Sequence, residues 1–493
     1  MTASKTFPRL FGNWAMALIV VPCAAAALSL TAVTSPILCA GVVIATSVVV
    51  ACVVWPDAPI LAVVFLLYTN AAGIAVQFHH VPFIVGAAFP LLLLLPLAKA
   101  VLFRREKLVI DKILPLILVF VLIQAIGTWF ADKPDVAILN LVQSAVESIG
   151  FYFLLTNVVR TPETLRRVIW TLLGAGTFMG GLSVYQQCTR TFDNNYGGFA
   201  QMSNAAFRTG EKTLAGDVEQ SRLSGPIGEQ NRYAQIMLML VPLGMFRLWG
   251  ERSGVLRILA VVSTGFCLAG AALTFSRGGA VGFVLMLIVM ALMGYIRLRQ
   301  LATVFIGNAV LLVALPQFSA RMASMNCLAS LGNDGGDAHS GADGSSRSRL
   351  TEMMAAALVF ADHPVVGVGP GLYPDHYREY AQILGVKFKQ KNRQAHNLYL
   401  ALAAEAGGPG LLCFLFIVGI TVRQLTKSLG NARRRIREMA TLTPGLLFAL
   451  VLYLSTGLFL HFSFARYFRM VLALAGAAAR IVAEAGAGRR CAG

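Results

Sequence analysis

The stretch Arg393-Gln394-Ala395-His396-Asn397 leads into LYLALAAEAGGPGLLCFLFIVGITV, residues 398–422, and its reading decides the fold. A long polar segment ends there and an apolar run begins, about the 20 residues that a bilayer-spanning helix needs. The pattern recurs along the chain. Segments 14–33, 36–55, 58–77, 81–102, 112–131, 138–158, 165–186, 232–249, 254–275, 279–296, 300–316, 397–422, 441–461 and 466–484 all read as spans. The fold expected is all-α and polytopic, with roughly twelve to fourteen transmembrane helices. With 57% hydrophobic and 13% charged residues, an ordinary soluble domain is excluded. Lys5 and Arg9 precede the first apolar run. Because that run is long and other spans follow at once, it reads as a first anchor and not as a cleaved leader.

Lysines and arginines near helix ends set the orientation. Arg104, Arg105, Lys107 and Lys112 fall between two spans, as do Arg160, Arg166 and Arg167. Arg247, Arg252, Arg257, Arg297, Arg299 and the cluster from Arg423 to Arg437 follow later ones. All lie on one side if both termini are cytoplasmic. The net charge of +18 is then topology signal plus attraction to membrane lipids, and no nucleic-acid partner is needed to explain it.

Four regions follow: an N-terminal bundle over 1–186, a core with a first extracytoplasmic loop over 187–316 (loop 187–231), a large helical extracytoplasmic loop over 317–396, and the C-terminal spans with a tail over 397–493. Loops of this size usually carry function. The second contains the helical patterns RLTEMMAAALVFADHP and LYPDHYREYAQIL, joined by a glycine-rich turn over 365–371, and should form a small cap. Before it, Asn333 to Ser348 is rich in Gly, Ser and Asp and reads as a flexible linker, since the calcium-loop spacing is missing. Ala485 to Gly493 reads as a short disordered tail. No cysteine spacing suggests a metal site. Cys188 and Cys327 share the oxidising side and are expected to be unrelated thiols in preference to a disulfide.

Three residues carry the candidate chemistry. His396 sits where water meets hydrocarbon. It is either a helix-start residue satisfied by a backbone carbonyl or a neutral imidazole able to take a proton from a hydroxyl. Arg277 ends an apolar run on the face where the charge bias leaves stray arginines unexpected. It either snorkels to headgroups or, with Gly278 and Gly279 opening the next helix, holds a phosphate. Arg222 precedes an irregular turn, Ser224 to Gly228, and is either a solvated loop residue or a second phosphate ligand. Asn231 is the expected N-cap of the span that follows. Glu405 lies inside a span, where a carboxylate needs a partner such as Arg349. Gly407, Gly408 and Gly410 read as close helix packing.

The order of these residues resembles the O-antigen ligase and Wzy polymerase superfamily, membrane transferases acting on lipid-diphosphate-linked glycans. Its ligase-type signature of His, Asn, nine residues, Gly, two residues and Gly is met by His396, Asn397, Gly407 and Gly410. Arg349 followed by Pro364, Gly367 and Gly369 is similar to its preceding element, Ser276-Arg277-Gly278 to its helix junction, and Arg222, Gly225, Asn231 and Ala234 to its first-loop element. The likeness covers about 220–410; Met353 or Met354 stands where many members have an aromatic residue. It implies a GT-C-like fold in the bacterial inner membrane, with the active site facing the periplasm. Arg222 and Arg277 would hold the diphosphate of an undecaprenyl diphosphate-linked glycan. His396 would be the base or orienting group for the acceptor hydroxyl, with Arg349, Asn231, Asn397 and Glu405 in support. It also implies inversion at the anomeric carbon, no metal and no cofactor. The implied acceptor is lipid A-core; a polymerase or a protein O-oligosaccharyltransferase would share the donor.

Overall fold

The computed structural model describes residue 55 and residues 57–213, 216–297, 341–385, 393–460 and 465–487. The expected spans 14–33 and 300–316, nearly all of 36–55, Cys327, the first half of the linker and residues 488–493 lie outside them. The N-terminal helices are α1 (Ala58–Tyr68), α2 (Ala71–His79), α3 (Phe83–Phe103), α4 (Leu114–Trp129), α5 (Pro134–Val158) and α6 (Pro162–Thr189). A hairpin of β1 (Gln201–Thr213) and β2 (Gly216–Gly225) precedes α7 (Gln230–Gly250), α8 (Gly254–Ala272) and α9 (Arg277–Leu292). Then come α10 (Gly341–Asp362), α11 (Tyr373–Ile383), α12 (Leu398–Arg435), α13 (Met439–Thr456) and α14 (Arg466–Ala487).

The protein is all-α and polytopic, and every expected span within the described residues coincides with a helix. Seven of these helices are long and apolar enough to cross a membrane, or eight if α1 and α2, bent by 58° at their junction, form one span. Three of the expected spans, 14–33, 36–55 and 300–316, are not among the residues counted, and three more are short or charged. α4 and α9 have 16 residues each. α14 carries Arg466, Arg469, Arg480 and Glu484, so its apolar character is diluted although Tyr467 and the run from Met470 to Ala478 are buried. Three further corrections concern sequence expectations. α10 begins at Gly341, so the backbone of 341–348 is helix and not linker; α14 continues through Ala487, into the expected tail; and the first loop holds a hairpin. The hairpin pairs Gln201 with Gly225 and Thr213 with Gly216. Cys188 is an exposed thiol.

α7 is buried on nearly every side, against α8 and α13, while α8 and α5 turn Val255, Ile258, Ile138, Leu139 and Val142 outward. Outward apolar side chains are what a lipid-facing helix presents. One end of the bundle is closed by charge. Glu251 accepts from Arg166 (2.7 Å), Arg247 (3.1 Å) and the Trp170 indole N–H (3.2 Å), and Arg166 also meets Glu438 at 3.2 Å. Arg166 and Arg247, read from sequence as orientation signals, are therefore also structural ties. The other end carries the hairpin and a cap made of α10 and α11. The cap has its own apolar core, with Val359, Leu372, Tyr373 and Tyr377 packed with Ala401 and Ala404 of α12 and Ala137 of α5.

Candidate functional site

Three segments meet at the cap end. The base of β2 is pinned to the end of α8, where Leu223 N–H donates to the Leu273 carbonyl at 3.3 Å. This buries Arg222, whose Nε donates to the Thr274 carbonyl at 2.8 Å and whose Nη2 reaches Asn231 Oδ1 at 3.4 Å. The same Asn231 oxygen accepts from Ser276 Oγ at 2.9 Å. Ser276 in turn caps α9 by accepting from Gly279 N–H at 3.3 Å, and Arg277 is the first residue of that helix. Asn231 thus ties Arg222 to the Ser276-Arg277 junction, so the two arginines, 55 positions apart in sequence, are brought together.

Asn231 does this because it is not the N-cap. Glu229, extended at φ −124, fills that position and accepts from Asn231 N–H (3.0 Å) and Arg232 N–H (2.8 Å). A carboxylate at a helix start satisfies orphan donors and suits the positive end of the helix dipole. The Asn231 side chain, at the second position of the helix, is left for Arg222 and Ser276.

His396 lies at the start of α12 with a left-handed backbone, φ 46. Phe275, just before Ser276-Arg277, has φ 51. Such conformations are costly for non-glycine residues and cluster where function constrains the chain. Asn397 holds the histidine in place. Its Oδ1 caps α12 by accepting from Tyr399 and Leu400 N–H at 3.0 Å each, and its Nδ2 donates to the Leu458 carbonyl at 3.1 Å. His396 Nε2 stands 3.6 Å from Oε2 of Glu352, which is buried on α10. Arg393 donates to the other Glu352 oxygen at 2.6 Å, and Tyr373 Oη donates to the Glu352 carbonyl at 2.6 Å. Burial, and then the charges of Arg349, Arg393 and Arg232, push His396 from its ordinary 6.5 down to about 4. The imidazole is therefore neutral at pH 7. Burial and the Glu352 carboxylate push the Tyr373 phenol well above its usual range, so it remains a donor.

Arg349 links the two halves, since its charge acts on both Arg277 and His396. Buried Arg232 donates to Gln235, which is anchored to Thr456 Oγ1 at 2.7 Å. Sequence reading had passed over Arg232, Glu352 and Arg393. One signal was available: Glu352 lies three residues after Arg349, on the same face of α10.

Gly407 and Gly408 build a joint, whereas Gly410 serves the helix packing expected of it. Inside α12, Gly407 takes φ 66, ψ −174, and Pro409 has no N–H to offer the Glu405 carbonyl. The cap turn supplies the broken bonds. Gly369 N–H donates to Glu405 O (3.0 Å), Val368 N–H to Ala404 O (2.9 Å), and Gly408 N–H to Pro364 O (2.7 Å). A Cβ on Gly367, at φ 68, would lie 2.6 Å from the Ala406 backbone nitrogen. Gly410 packs toward Ile123 of α4. The Glu405 side chain takes hydrogen bonds from the backbone N–H groups of Gly371 and Tyr373, in place of the arginine expected.

The charges of Arg349, Arg393 and Arg232 act on His396, a neutral imidazole, and Arg393 is paired with the buried Glu352 carboxylate that faces it. No curated protein matches the chain. Arg222 and Asn231 fall just before the region that a family model does match. That region, residues 234–415, runs from the first turn of α7 through the cap to the middle of α12 and is similar to the family described as O-antigen ligase, and the helices around it are those of a multi-pass membrane protein.

Proposed function

We propose that the protein is an O-antigen ligase-like transferase that moves a glycan from undecaprenyl diphosphate to lipid A-core on the periplasmic face of the bacterial inner membrane. The observation that carries this reading is the Asn231 bridge, which sets Arg222 beside Ser276-Arg277, with Arg349 within electrostatic reach of both Arg277 and His396. Arg222 and Arg277 bind the diphosphate and stabilise its growing charge as the anomeric carbon–oxygen bond breaks. Neutral His396 accepts the acceptor hydroxyl's proton as that oxygen attacks from the opposite face, which inverts the anomeric centre. Glu352 offsets the imidazolium that results. Asn397 holds the histidine's backbone, and the glycines at 367, 369 and 407 fix the cap to α12.

The positive-inside pattern supports both termini in the cytoplasm and the cap outside. The test is deletion of the gene, followed by analysis of surface lipopolysaccharide and of carrier-linked glycan. Bare core with long polymer on undecaprenyl diphosphate is expected, and His396→Ala should fail to restore the wild-type pattern. Core capped by one repeat, without carrier-linked polymer, would make the enzyme a polymerase. Unchanged lipopolysaccharide would sink both and point to a secreted polysaccharide or a protein acceptor.

A further inference from the structure

A polar cavity, of about 400 Å³, lies among α4, α5, α12, α14 and the Pro370-Gly371 turn of the cap. We propose that it binds the neutral, hydroxyl-rich part of a glycan, next to the arginine cluster and separate from it. The inference rests on the transferase reading above and adds a sugar site to it.

Charge balance distinguishes the two places. Around His396 the charges of Arg349, Arg393 and Arg232 act together, with one buried carboxylate, Glu352, facing the ring. In the cavity wall, Arg466 and Arg469 are matched by Glu147 and Glu405. Arg469, itself buried, donates to Glu147 at 2.6 Å and to Ser144 Oγ at 3.1 Å; Arg466 donates to Asn70 Oδ1 at 2.7 Å. A balanced wall gives little net attraction to a diphosphate. Sugars carry hydroxyls that both donate and accept. The amides of Gln124, Asn140, Gln143 and Gln394 do the same, and the carboxylates can take neighbouring hydroxyls in pairs. Among the described residues the lining is made of amides, carboxylates and guanidinium groups, which read a pattern of hydroxyls.

Two further features favour a ligand over a packing defect. α5 takes a π-helical turn over Val146–Phe151, and Glu147 of that turn lines the cavity; turns of this kind recur at functional sites. The position fits as well. Ala401 and Glu405, four residues apart, put one face of α12 along the cavity, and Gln394 is two residues from His396. Two residues of chain span at most ~7 Å, so the sugar site opens beside the group proposed to take the acceptor's proton.

The test uses the full chain in nanodiscs. Oligosaccharides released from the host's own surface polysaccharide, free of lipid and phosphate, are probed by saturation-transfer difference NMR. Wild-type protein and Arg277→Ala should give signals. The Asn140→Leu/Gln143→Leu double variant, altered on the accessible face of α5, should bind on the order of tenfold more weakly. Absence of wild-type signal, or full signal in the double variant, would overturn the proposal. Bare undecaprenyl diphosphate is titrated in parallel. Its loss in Arg277→Ala with retention in the double variant supports two sites, whereas loss in both variants would overturn a separate one. If wild-type protein binds the oligosaccharide but not the bare carrier, the donor reading fails and the cavity stands.

Discussion

His396 Nε2 and Glu352 Oε2 face each other at 3.6 Å, across the boundary between the cap and α12. At that separation they form no hydrogen bond of ordinary length. They interact as an ion pair only when the imidazole is protonated. Three arginines oppose that protonation and one buried carboxylate favours it. A histidine so placed holds no proton at pH 7 and can receive one during the reaction at reduced cost. Arg393, bound to the second Glu352 oxygen, holds the carboxylate in that position.

Glu352→Gln removes that offset while keeping shape. Transfer should slow by roughly tenfold or more, with donor binding little changed. The acid limb of the pH–rate profile should move to lower pH, because loss of the negative charge lowers the His396 pKa further. A profile that keeps its shape and position would show that Glu352 serves only to fold the cap.

The depressed His396 pKa also governs stability. Its folded value, about 4, lies below the ordinary 6.5. Between those values the unfolded chain binds more protons than the folded one, so stability rises with pH across that window and is level in this respect above it. Thermal unfolding in detergent from pH 4.5 to 7 should show this rise, and His396→Gln should flatten part of it.

Asn231→Ala would test whether the two arginines work as a pair. The substitution leaves both guanidinium groups in the chain but removes the oxygen shared by Arg222 and Ser276. Affinity for undecaprenyl diphosphate should fall several-fold, about 1 kcal/mol for the lost bridge. Arg222→Lys should do more, since a lysine cannot replace both the Thr274 and Asn231 contacts in one plane. Equal carrier affinity in wild type and Asn231→Ala would separate Arg222 from the donor site.

The spans were legible because hydrocarbon imposes a length and an apolar character that single segments reveal. The His396 to Gly410 and Ser276 to Gly278 elements were legible because they are local. What could not be read depends on contacts between distant segments. Nothing near Glu405 in sequence says that Gly371 and Tyr373 backbone amides will reach it, and nothing near Glu352 says that His396 will. Asn231 was misassigned as a cap because its residue type fits one; Glu229, less favoured by propensity, reaches the same N–H groups. The polar face of α14 was hidden for a similar reason. Arg469 looks like a helix-end charge until α5 supplies Glu147.

The joint between cap and α12 gives a steric prediction. At Gly367 an added Cβ meets backbone, which cannot step aside, and φ 68 already disfavours a side chain. Gly367→Ala should destabilise the protein by ~2–3 kcal/mol and reduce transfer by displacing His396 relative to Glu352. Gly174→Ala, in α6 with open space around it, is the matched control and should be neutral or slightly stabilising. Equal melting temperatures for the two variants would mean that the cap turn is not held against α12 as described.

The closed end of the bundle should behave oppositely to the site. Glu251 is buried against Arg166 and Arg247, so Glu251→Gln leaves two guanidinium groups facing each other without their shared carboxylate. Removing one member of a buried set costs about 3–5 kcal/mol, and this variant should unfold at lower temperature. The exposed pair Lys133 and Asp375, 3.1 Å apart between the cap and the start of α5, should matter far less. Exposed pairs contribute about 0–1 kcal/mol, so Asp375→Ala should leave the melting temperature almost unchanged. Because Glu251 lies remote from the arginine cluster, folded Glu251→Gln protein at low temperature should still bind undecaprenyl diphosphate with wild-type affinity. A weakened affinity there would mean that the two ends of the bundle are coupled through α7, the helix that carries Arg232 at one end and Arg247 at the other.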